Sequence, residues 1–218
     1  LRLQAVRKQD GSGPWLASLL GPYLERRTEL ALGGSSLRCV VVPDGVHPGS
    51  SALGPAARRE QTAKALSWVL GKPTTVRYRP DGKPEVGGGI EVSSSHSAGL
   101  TFVVAGGPNL VSCDVEVVTS RSEQDWVELL GREPFALAQL LASERCEELS
   151  VAATRVWGAV ECLRKVGRAR IEPITVGGPR ADRWVSLRSG TARIATFPTT
   201  VRDVKDPVVF TMLTEGEN

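Results

Sequence analysis

No stretch of this 218-residue chain approaches the roughly 18 consecutive apolar residues that a membrane-crossing helix needs. No signal-peptide pattern of basic start, apolar middle and small-residue cleavage site is present either. Histidine is scarce: only His47 and His96 could add imidazole ligands, which argues against a zinc centre. The four cysteines (Cys39, Cys113, Cys146 and Cys162) include no close pair at zinc-ligand or redox spacing. Cys113 and Cys162 fall in apolar patterns, where a reduced, buried thiol is the usual outcome, and that favours a cytoplasmic protein. Aromatic residues are only 5% of the chain and too sparse in its basic part to form a base-stacking platform, so no nucleic-acid partner is expected. Neither G-x-G-x-x-G nor G-x-x-x-x-G-K-[ST] occurs, which counts against the common dinucleotide and P-loop folds.

What remains is the composition of an ordinary globular protein, 41% apolar and 23% charged, long enough for one large domain or two small ones. A net charge of +3 is too mild to identify a partner, but its distribution is uneven. Residues 55–83 carry Arg58, Arg59, Lys64, Lys72, Arg77, Arg79 and Lys83 against Glu60 and Asp81; residues 114–148 carry nine acids against Arg121, Arg132 and Arg145. A basic segment feeding an acidic one suits a polyanionic, metal-bound ligand, and equally suits two solvated faces. The chain opens "LRLQAVRKQDGSGPWL" without a Met and reads as a piece of something longer.

Residues 1–35 read as a connector, with "WLASLLGPYLERRTEL" as a short helix broken at Gly21-Pro22. "LRCVVVPDG" is a β-branched strand stopped by a turn, and "PAARREQTAKALSWVLGKP" is a helix with Ala63, Leu66, Val69 and Leu70 at helical spacing and Gly71 at its end. From Ile90 the period falls to two. "IEV", "LTFVVA" and "LVSCDVEVV" read as strands separated by Ser-rich and "GGPN" turns. A largely helical stretch spans 121–166 and ends at Gly167; a hairpin turning at Ser189-Gly190 and a last strand "VVFTML" follow. The fold class is α/β or α+β, with each half holding strands and at least one helix.

In "VSCDVEVV", strand alternation sends Cys113, Val115 and Val117 one way and Ser112, Asp114 and Glu116 the other. Two carboxylates side by side repel unless they are well solvated or share a cation, and a hard ion such as Mg²⁺ would resolve the repulsion. In "TRVWGAVECLRKVG", Trp157, Glu161 and Lys165 stand four apart on one helical face. That face is either a core edge with an ion pair or the source of a third carboxylate and an ammonium for the same metal.

The order "GKP" (Gly82 to Pro84), "SSHS" (Ser94 to Ser97), "CDVE" (Cys113 to Glu116) and "WGAVECLRK" (Trp157 to Lys165) resembles the larger, single-chain members of the 4′-phosphopantetheinyl transferase superfamily, over roughly residues 55–200. The resemblance implies two similar α/β halves related by a pseudo-twofold, here 36–117 and 118–218, with coenzyme A bound between them. It implies transfer of the 4′-phosphopantetheine arm of coenzyme A to a serine of an acyl carrier protein, releasing adenosine 3′,5′-bisphosphate. Asp114, Glu116 and Glu161 match the family's Mg²⁺ ligands, although Mn²⁺ would serve the same donors. Lys165 matches its phosphate-reaching lysine, with Glu161 the expected general base and His96 the alternative. Ser95 and His96 match the loop at the coenzyme A 3′-phosphate, and Lys83 and Arg59 match further phosphate-binding cations.

The family motif W-x-x-K-E has Val160 in place of its lysine here. That substitution, the segment "GPWLASLLGPYLERR" and the missing Met are similar to the C-terminal transferase domain of iterative enediyne polyketide synthases, which implies the synthase's own carrier as acceptor and a monomeric domain. The alternative is a catalytically lapsed module that docks a carrier. Within 121–156, Trp126, Leu129, Leu130, Phe135, Leu137 and Leu140 are either core or the carrier-docking surface.

Overall fold

The structure, a computed structural model, describes residues 3–5, 28–32, 35–43, 54–167, 172–177, 183–201 and 204–215. Its first sheet has the order β1 (Leu3–Ala5), β2 (Thr28–Leu32), β3 (Ser35–Pro43), β7 (Leu100–Ala105), β6 (Val92–Ser97), and every neighbouring pair is antiparallel. Helix α1 (Pro55–Leu70) and the short pair β4 (Arg77–Tyr78) and β5 (Pro84–Glu85) lie between β3 and β6 in the chain. Next comes β8 (Val111–Val117), then helices α2 (Glu123–Leu130), α3 (Arg132–Arg145) and α4 (Leu149–Lys165). Strands β9 (Thr175–Val176), β10 (Val185–Ser189), β11 (Ala192–Thr199) and β12 (Val208–Glu215) complete a second antiparallel sheet in the order β8-β12-β11-β10-β9. The protein is thus mixed α/β with antiparallel sheets, an α+β architecture.

The elements form where local chemistry allows. Pro55 occupies the first turn of α1, and Gly71 (φ 71°) ends the helix in the left-handed region, as its sequence position predicts. Ser122 and Asp125 form a reciprocal capping box at the start of α2. Ala98 and Gly99, both at positive φ, make the two-residue turn between β6 and β7.

Three apolar clusters stack these elements into four layers. Ala65, Leu66 and Val69 of α1 pack on Val92, Val103 and Ala105 of the first sheet. The opposite face of that sheet (Leu37, Cys39, Val41, Phe102, Val104) meets Cys113, Val115, Phe210 and Met212 of the second, with Phe102 and Phe210 edge to face at 5.2 Å. The second sheet then buries Leu187, Ile194 and Leu213 against α2, α3 and α4. Each sheet follows the same path: a strand (β3 or β8), a helical excursion, and an antiparallel run whose last strand (β7 or β12) returns beside the first.

Several sequence expectations shift. The stretch 1–35, read as a connector, contributes β1 and β2 to the first sheet; of the helix expected over residues 15–30, residues 28–30 are instead strand, held by pairing with β1 and β3, and the rest, like the turn after Pro43, lies outside the described residues. The "SSHS" segment, expected as a loop, is strand β6, because each of its residues is in register with β7. Strand β8, placed with the first half by a boundary near 118, is hydrogen-bonded into the second sheet along β12. The late hairpin turns at Gly190-Thr191, one residue beyond expectation.

Candidate active site between β8 and α4

Alternation along β8 is as the sequence predicts: Cys113 and Val115 enter the core between the sheets, and Asp114 and Glu116 take the other face. That face is covered by α4 instead of being open to solvent. Asp114 is only 3% exposed. Its Oδ1 accepts from Lys165 Nζ at 2.7 Å and from Ser95 Oγ at 2.8 Å, and Lys165 also donates to the Cys113 carbonyl at 2.9 Å. One helical turn pair away, Trp157 donates a long 3.4 Å bond from Nε1 to Glu116 Oε1. The three-by-four spacing of Trp157, Glu161 and Lys165 therefore lays one stripe of α4 along β8. Glu161 is engaged by Arg164 at 2.5 Å, and the Arg164 guanidinium lies 5.3 Å from the Trp157 ring centroid.

The approach of α4 is set by Gly158. A Cβ there would lie 2.4 Å from Thr211 Oγ1 on β12, so only a residue without a side chain allows the contact. Ser95 reaches Asp114 because β6 and β8 are the facing edge strands of the two sheets. Ser93 and Ser95 share the face of β6 that looks toward β8, and Ser93 Oγ accepts from the Cys113 N–H at 3.1 Å. Two edges that would otherwise present bare backbone are joined through serine hydroxyls.

Charge crowding is visible in the acidities. Burial pushes the Glu116 carboxyl above the ordinary value; Asp114 and, less strongly, Glu161 push the same way, against the Trp157 bond and Lys165. Burial, the largest single influence, works against the Lys165 ammonium; the charge and hydrogen bond of Asp114, together with the neighbouring Cys113 and Cys162, outweigh it and hold the group above the usual lysine value. Burial also raises the Cys113 thiol to about 12. Among the described residues, no three His, Cys, Asp or Glu side chains are grouped so as to hold a metal ion as they stand.

Of the residues singled out in the sequence, Asp114, Glu116, Glu161, Lys165 and Ser95 come together here. His96 does not join them. As the residue after Ser95 on a strand it points to the opposite face, toward α1, where Nε2 meets Thr62 Oγ1 at 3.1 Å and Nδ1 meets Thr101 Oγ1 at 2.9 Å. Arg59 is on the same helix, its guanidinium 4.8 Å from the Tyr78 ring centroid and its carbonyl accepting from the Tyr78 hydroxyl. Lys83 is ion-paired with Glu91 at 2.8 Å. Trp126, Leu130, Phe135 and Leu137 are core, Leu129 is half-buried against that core, and Leu140 alone is exposed, at 47%. Val160 is buried on α4.

Arg155, which no motif marks, is fully buried. It donates from Nε and Nη2 to Glu147, from Nη1 to the carbonyl and hydroxyl of Thr196, and from Nη2 to the Arg183 carbonyl. A lone charge inside "VAATRVWGAV" was the available signal, since a charged residue in an apolar helical stretch has to find partners. Gly158 and Thr211, whose contact depends on two distant segments, left none. No protein-family model matches this chain, and no curated protein matches it.

Proposed function

We propose that the protein is an Mg²⁺-dependent 4′-phosphopantetheinyl transferase with two α/β halves related by a pseudo-twofold. The observation that carries this is the juxtaposition of Asp114, Glu116, Glu161 and Lys165 at the β8–α4 contact, from segments far apart in the chain. The matching strand–helix–meander path of the two sheets supports the pseudo-twofold.

The three carboxylates fit a hard divalent ion as a donor set. All donors are oxygen, and the charges of Asp114 and Glu161, which add to burial in raising Glu116, are a repulsion of the kind a cation relieves. Mg²⁺ takes only a few protein oxygens and completes its shell with phosphate and water, so a preformed cage is not required. Once bound, the ion would neutralise charge developing on the coenzyme A pyrophosphate. Lys165 would shift between Asp114 and a substrate phosphate, a point charge on a flexible stem being suited to that exchange. Ser95 would hold the Asp114 carboxylate, not the nucleotide. Arg59 on α1, His96 on the face of β6 toward α1, and Lys83 in the β4–β5 turn would receive the 3′-phosphate end, and Glu161 would take the proton from the attacking serine.

The acceptor is an acyl carrier protein domain, that of an enediyne polyketide synthase in the proposed context, and the domain acts as a cytoplasmic monomer. No helix among the described residues is long and apolar enough to cross a membrane. Intact-mass analysis of an apo carrier incubated with the protein, coenzyme A and Mg²⁺ tests this. The expected result is a gain of one phosphopantetheine, abolished by Asp114→Ala and lowered about 10²–10⁴-fold by Glu161→Gln. No gain with several carriers would overturn transfer and leave the lapsed docking module; full turnover by Glu161→Gln would remove its role as base.

A further inference from the structure

Under α4, three side chains carry polar atoms with no hydrogen-bond partner among the described residues: Ser112 Oγ, Asp114 Oδ2 and Thr211 Oγ1. Each of these residues is at least nine-tenths buried. All three share one face of two adjacent strands, with Ser112 and Asp114 two apart on β8 and Thr211 directly opposite Asp114 on β12. Gly158 packs its backbone directly against the Thr211 side chain, and the Cys162 thiol lies beside Ser112 and donates to the Thr211 carbonyl at 3.9 Å. Buried polar atoms are as a rule paired, so three orphans on one face point to a common partner.

We propose that Ser112, Asp114 and Thr211 enclose a binding site for one water molecule, which positions the Asp114 carboxylate. The donors and acceptors are complementary. A carboxylate oxygen can only accept, and both hydroxyls can donate. One water gives a hydrogen to Asp114 Oδ2 and receives one from each hydroxyl, the three bonds typical of a buried water. A divalent cation is disfavoured in this space because it lies on the Ser112 side of Asp114, away from Glu116, and offers only one carboxylate oxygen and two hydroxyls. With Oδ2 held from beneath, the carboxylate plane is fixed and Oδ1 is presented to Ser95 and Lys165. The inference rests on burial and pairing alone and does not depend on the transfer activity.

The test is a set of crystal structures of the whole chain, grown with a chelator and without divalent ions, for the native protein, Thr211→Val and Thr211→Ser. A solvent peak within hydrogen-bond distance of Asp114 Oδ2 and Thr211 Oγ1 is expected in the native and Thr211→Ser proteins. In Thr211→Val the peak should vanish or move, the carboxylate should rotate, and the 2.7 Å contact from Lys165 to Asp114 should lengthen. A native structure with no peak at Oδ2 overturns the proposal. So does a peak at about 2.1 Å from Oδ2, a metal distance, or an unchanged Asp114–Lys165 geometry in Thr211→Val. If Thr211→Val fails to fold, the native structure and Ser112→Ala decide by the same criteria.

Discussion

Replacing Arg155 with Met should destabilise the protein more than any surface change, and the size of the loss can be worked from its partners. The side chain is 1% exposed, and its guanidinium ties the turn before α4 to β11 and to the Arg183 carbonyl. Met fills much of the volume, so the cost is chiefly electrostatic: Glu147, whose side chain is 15% exposed, loses its counter-charge, and Thr196 loses two donors. Breaking a buried pair from one side costs about 3–5 kcal/mol; because Glu147 keeps some access to water, the lower end, about 3 kcal/mol, is expected. At about 2–4 °C per kcal/mol for a chain of this size, the melting temperature should fall by about 6–12 °C. Removing the acid as well, in Arg155→Met/Glu147→Gln, should recover about 1–3 kcal/mol, since contacting residues in one network couple by that amount. Urea unfolding of the four proteins of this cycle measures both quantities. A loss below about 1 kcal/mol for Arg155→Met, or no coupling to Glu147, would refute the picture of a buried strut holding α4. Because α4 carries Trp157, Glu161 and Lys165, the same substitution should also loosen the site at temperatures where the fold persists.

Glu116→Gln should be more stable than the native protein at neutral pH in the absence of divalent ions, while losing transfer activity. The sign follows from linkage: a carboxyl raised by folding binds its proton more tightly in the native state, so its contribution is present below the unfolded value and is lost as pH rises through the folded one. Melting curves between acid and neutral pH should therefore converge at low pH and separate above it; parallel curves would discount the crowding. Of the cysteines, Cys146 is exposed, whereas Cys39, Cys113 and Cys162 are buried thiols, with Cys39 and Cys113 raised to about 12 by burial. A thiol reagent should thus label Cys146 alone under native conditions, as read by peptide mass, and all four after unfolding.

Elements with a local signal are legible in the residues alone. The period-2 run of β8 dictated that Asp114 and Glu116 share a face, the period-3.6 run of α4 aligned Trp157, Glu161 and Lys165, and Gly71 ended α1. Tertiary structure alone decided what those faces meet. Nothing local distinguishes a carboxylate stripe in water from one under a helix. Asp114 is buried because β12 carries Thr211 opposite it and Gly158 lets α4 come close, two residues remote in sequence from Asp114 and from each other. The "SSHS" segment illustrates the same limit. Its serines signal a loop by propensity, yet pairing with β7 and the facing edge of β8 make it a strand whose alternation sends Ser95 to Asp114 and His96 to Thr62. Arg155 reads as one more helical charge until the fold surrounds it with Glu147, Thr196 and Arg183. Backbone periodicity fixes which side chains travel together; packing between distant segments fixes which become buried, paired and chemically perturbed, because burial and pairing are properties of neighbours that the chain brings together only on folding.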